Sequence, residues 1–61
     1  MTKRLNELIA CARRELALRR QVYPRAVAHG RMTQEQAEHE IGCMTEIVQV
    51  LERQDQPELE L

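Results

Sequence analysis

The chain has 61 residues, a formal net charge of −1, one aromatic residue (Tyr23) and no Phe or Trp. A chain this short buries only about 60% of its unfolded surface, and it lacks the side chains that usually dominate core burial. These 61 residues are expected to make at most one small domain, without a large self-sufficient core. Oligomerisation is the usual remedy, so a dimer or larger assembly is expected, or a chain ordered by its target. No apolar run approaches the roughly 20 residues that cross a bilayer, and the N-terminus lacks a signal-peptide core. These features predict no membrane, a cytoplasmic location, and Cys11 and Cys43 as reduced thiols.

The charge is unevenly placed. Residues 1–31 carry eight basic and two acidic side chains, or +6, and residues 32–61 carry one basic and eight acidic, or −7. Such asymmetry points either to an outside partner of opposite sign or to attraction between the halves. The second is the simpler expectation.

In chain order, Leu5, Leu8, Ile9, Ala12, Leu16 and Tyr23 recur at three- and four-residue spacing and form one stripe of an amphipathic helix. The spacing predicts a helix over about 3–23, with Thr2 as its N-cap. Pro24 has no backbone donor and clashes with the preceding turn, so the helix is expected to stop or kink near Tyr23. Pro24 also suits the first position of a new short helical turn over 25–29. Gly30 follows where a left-handed C-cap is wanted, and the joint spans 24–32. Thr33 and Gln36 fit a capping box, with Met32 placed to staple onto Ala37. A second helix over about 34–53 carries the stripe Ala37, Ile41, Met44, Val48 and Leu51. The helical hairpin thus occupies 1–53. Residues 54–61 are polar, acidic and interrupted by Pro57, and read as a flexible tail.

The fold class predicted is all-α: an antiparallel helical hairpin with a short helical turn at the joint. Pairing about that joint sets Leu5 near Leu51, Ile9 near Val48, Ala12 near Met44 and Leu16 near Ile41. Cys11 and Cys43 fall at similar heights. A surplus remains. Cys11, Leu18 and Val22 lie on a second flank of the first helix, and Cys43, Ile47 and Val50 on a second flank of the other. One hairpin cannot cover both, and an exposed apolar patch usually marks an interface. Two hairpins packed there make a dimeric four-helix bundle.

Cys11, Cys43, His29 and His39 make up the ligand types of many zinc sites, and His39 and Cys43 are one helical turn apart. No C-x-x-C or H-x₃-H pair occurs, and His29 sits at the joint far from Cys11, so no metal site and no cofactor are expected. His-Glu-Ile-Gly-Cys at 39–43 carries Cys where the metalloprotease pattern H-E-x-x-H has its second His, on a scaffold too small to offer a third ligand. No pocket-forming constellation for acid–base work is visible, so no enzyme is expected. Arg13, Arg14 and Arg20 lie on an outer face, but the acidic second half would repel phosphates and no stacking aromatics accompany them. Nucleic-acid binding is not expected, and a DNA-binding accessory role ranks third.

Arg19 lies by angle within the apolar stripe. Its structural reading is a snorkelling Arg paired with Glu15 or, across the hairpin, Glu40. Its functional reading groups Arg19, Tyr23, Arg25, His29 and Arg31 at the joint as an anion site, completed in a symmetric dimer. Gly42 lies mid-helix, where close approach of another helix or simple tolerance would account for it.

Residues 15–44 carry the pattern Glu15, Leu16, Arg19, Val22, Tyr23, Pro24, Val27, Gly30, Met32, Thr33, Ala37, Glu40, Ile41 and Met44. In this the chain resembles small phage- and prophage-encoded proteins of bacteria. The resemblance covers about half the chain. It implies a phage origin and a bacterial host cell as the location, and it supplies no activity. The function expected is a non-catalytic interaction protein that binds and modulates a host or phage protein through helix faces. The alternative is an oligomer that sequesters a nucleotide or similar small anion, of the anti-defence type, at the Arg/Tyr/His joint.

Overall fold

The computed structural model describes residues 3–55 and contains two α-helices, α1 (Lys3–Ala28) and α2 (Gln34–Asp55), packed against each other as a hairpin. Thr2, the expected N-cap, and residues 56–61, most of the expected tail, lie outside the described residues. Gln54 and Asp55, assigned above to the tail, are the last residues of α2.

The expected break at Pro24 does not occur. Pro24 is inside α1, which runs on to Ala28. The proline φ near −65° is already helical. Its cost is a missing donor to the Arg20 carbonyl, and Pro24 and Arg20 are both exposed, so water can take that carbonyl. The separate turn over 25–29 is thus replaced by the last turn of α1. That helix ends at Gly30, whose φ of +74° is the left-handed conformation. The Gly30 amide donates to the Val27 carbonyl at 3.0 Å, and the Arg31 amide donates to the Ala26 carbonyl at 2.8 Å. These are the two bonds of a Schellman motif.

The start of α2 is the capping box that the spacing predicts. The Gln36 amide donates to Thr33 Oγ1, and the Thr33 amide donates to Gln36 Oε1, each at 3.0 Å. Ala37 is buried and Met32 half-buried, as a staple between them requires.

Extending α1 moves the centre of the joint from residue 28 to residue 31. Ala12, Leu16, Met44 and Val48 form the buried cluster, flanked by Ile41 and Leu51. Ala12 and Met44, expected to face each other, share that cluster, and Ile41, expected opposite Leu16, packs against it. At one edge of the hairpin Arg13 Nε donates to Glu52 Oε2 at 2.8 Å.

The core is thin. Its buried members are Ile9, Ala12, Leu16, Ala37, Met44 and Val48, and two of these are alanines. The chain measures 47 × 23 × 10 Å along its principal axes, a layer one helix thick. Its accessible surface of 4878 Å² exceeds the roughly 4100 Å² expected of a folded monomer of 7.2 kDa.

Candidate functional site

Leu8, Leu18, Val22, Ile47 and Val50 are each between 40% and 53% exposed. Cys11 and Cys43 are exposed free thiols. At about 100° per residue, Leu8, Cys11, Leu18 and Val22 fall within an arc of about 80° on α1, and Cys43, Ile47 and Val50 within about 60° on α2. Glu15 lies inside the first arc and Glu40 at the edge of the second. Both meet Arg19, so the two arcs turn to the same broad face of the hairpin. Arg13 and Glu52 pair at the opposite edge. Two shallow depressions follow this face. One is lined by Cys11, Glu15, Leu18 and their neighbours on α1, the other by Cys43, Glu46, Ile47, Val50 and Leu51 on α2. All six sequence-predicted interface residues are therefore exposed on one side. Leu8, assigned above to the hairpin stripe, joins them because it sits at the stripe's edge.

A charged group interrupts the apolar face. Arg19 Nε donates to Glu15 Oε2 at 3.0 Å, Arg19 Nη1 donates to the Glu40 backbone carbonyl at 2.9 Å, and the same nitrogen is 3.6 Å from Glu40 Oε1. The guanidinium carbon lies 5.8 Å from the Tyr23 ring centroid, within cation–π range. The bond from Glu15 raises the guanidinium above the usual arginine range. Burial opposes this, and the fields of Tyr23, Glu15 and Glu40 reinforce it. Arg19 thus makes both ion pairs that its structural reading offers.

This arrangement divides the joint residues. Arg19 and Tyr23 are half-buried and engaged with each other, and two carboxylates already neutralise Arg19. Arg25, His29 and Arg31 are exposed around the end of α1. Their backbones take part in the C-cap: His29 N donates to Arg25 O at 3.0 Å, and Arg31 N bonds to Ala26 O. Among the described residues, no ion pair involves Arg25 or Arg31.

The two ties across the hairpin, Arg13–Glu52 and Arg19–Glu40, each join a base of α1 to an acid of α2. The opposite charges of the halves thus meet within the chain. His39 Nε2 lies 3.6 Å from Cys43 Sγ, both residues being exposed on α2. Among the described residues, no three His, Cys, Asp or Glu side chains converge on one point as metal ligands, and no helix is long and apolar enough to cross a membrane. Comparison of the chain with family models, curated proteins and solved structures finds no match.

Proposed function

We propose that this chain is a non-catalytic interaction protein that works as a pair of hairpins. Two copies join through the face bearing Leu18, Val22, Ile47 and Val50, forming a four-helix bundle. The outer faces of that bundle then engage a host or phage protein and change its activity. The observation that carries the reading is the single-layer shape with large apolar side chains left open on one side. The phage setting rests on the resemblance of residues 15–44 alone.

The test is sedimentation of the full chain at micromolar concentration, beside the double variant Leu18→Glu, Ile47→Glu. The wild type is expected to sediment as a dimer, and the double variant as a helical monomer. A wild type that stays a stable monomer, or a double variant that stays dimeric, removes this reading.

A further inference from the structure

We propose that His39 and Cys43 are half of a zinc site, which a second copy of the chain completes as Cys₂His₂ across a two-fold axis. The inference rests on the pairing of copies proposed above and assigns that pairing a metal.

The geometry is local and specific. Residues four apart on a helix lie one above the other on one face, and here Cys43 Sγ and His39 Nε2 are 3.6 Å apart. Zinc holds sulfur at about 2.3 Å and imidazole nitrogen at about 2.0–2.1 Å in a tetrahedron, which sets those atoms about 3.5–3.6 Å from each other. The pair already has the spacing of one tetrahedral edge. A thiol–imidazole hydrogen bond has the same span, and a metal ion placed between the two replaces the shared proton, which leaves to solvent.

Position supplies the rest. One chain offers two ligands here, and structural zinc takes four, so two copies complete the set. Cys43 lines the apolar depression of α2 beside Ile47 and Val50, on the face proposed to meet the second copy, and both ligands are exposed. Gly42, between the two ligand positions, has open space where a Cβ would stand. The sequence argues against four ligands converging within one chain, whereas a shared site needs only two from each.

The experiment titrates reduced full-length chain with Co²⁺ as a spectroscopic stand-in for Zn²⁺, then displaces it with Zn²⁺, and follows mass by sedimentation. Expected are tetrahedral cobalt bands with thiolate charge transfer, saturating at one metal per two chains. His39→Ala and Cys43→Ser are each expected to weaken binding more than about 100-fold while circular dichroism stays helical. Three results overturn the site: a metal-free dimer that takes up no cobalt, saturation at one metal per chain, or a band that survives Cys43→Ser. The first leaves the dimer of the preceding section standing, whereas a monomer that binds no metal removes both.

Discussion

Arg19 reaches from α1 to α2 and caps the Glu40 backbone carbonyl at 2.9 Å while lying 3.6 Å from the carboxylate of the same residue. With Glu15 holding its Nε from the other side, the guanidinium is fixed at three points. A flexible ammonium cannot reproduce that planar fork. Arg19→Ala is expected to lower the melting temperature clearly more than Arg4→Ala, whose pair with Glu7 is solvent-exposed at 3.6 Å. Arg19→Lys should fall between. Equal melting temperatures for the Arg19 and Arg4 variants would show that the bridge contributes nothing.

The ionisation of Arg19 itself should impose no pH dependence near neutrality. Its folded pKa is raised, so its contribution is complete below the unfolded value and is lost only as pH rises through the still higher folded one. Both lie beyond the working range. Comparing the melting of wild type and Arg19→Gln from about pH 6 to 9 should give a constant difference.

Leu16 is in the buried cluster, whereas Leu18 is 53% exposed two residues later. Leu16→Ala should cost about 2–5 kcal/mol. A chain of this size has only about 3–9 kcal/mol in total, so helicity by circular dichroism should be largely lost at moderate temperature. Leu18→Ala should keep the helices and weaken self-association instead. Unfolding by Leu18→Ala alone in dilute solution would show that the apolar face belongs to the hairpin core.

Pro24 stands on the exposed side of a helix that continues through it. Pro24→Ala restores a donor to the Arg20 carbonyl, and should stabilise the chain by as much as about 3 kcal/mol in urea unfolding. A loss of stability would mean that the proline is required at the joint.

Each end of the joint should lose stability when its cap residue is replaced by alanine. Thr33→Ala removes the acceptor of the Gln36 amide and should cost about 1 kcal/mol, while Thr33→Ser should be nearly neutral. Gly30→Ala meets no steric neighbour, but forces a left-handed conformation at φ +74°, and should cost about 1 kcal/mol. Gly42→Ala also meets no neighbour within the chain. It should stabilise a lone hairpin by up to about 1 kcal/mol, yet raise the dimer dissociation constant if a second backbone approaches there. Paired melting and sedimentation measurements separate these outcomes.

Local chemistry was readable in the residues because it is decided within a turn or two of chain. The capping box needs only Thr33 and Gln36 three apart, and the left-handed end needs only a glycine at position 30. The apolar periodicity that makes Ala12, Leu16, Met44 and Val48 a core follows from 3.6 residues per turn. Even the split of charge between the halves foretold bridges such as Arg19–Glu40. The helix end was misplaced because a proline rule describes a cost, and a cost of a few kcal/mol yields to a favourable C-cap one turn later.

Tertiary structure alone decided the register and the faces. Periodicity says which side of each helix is apolar, but not how far one helix slides along the other; that depends on where the joint is centred and on long-range pairs such as Arg13–Glu52. It also left Leu8, at the stripe's edge, 40% exposed outside the core. These are relations between side chains in space, set by the packing of both helices together, and spacing along a single chain does not contain them.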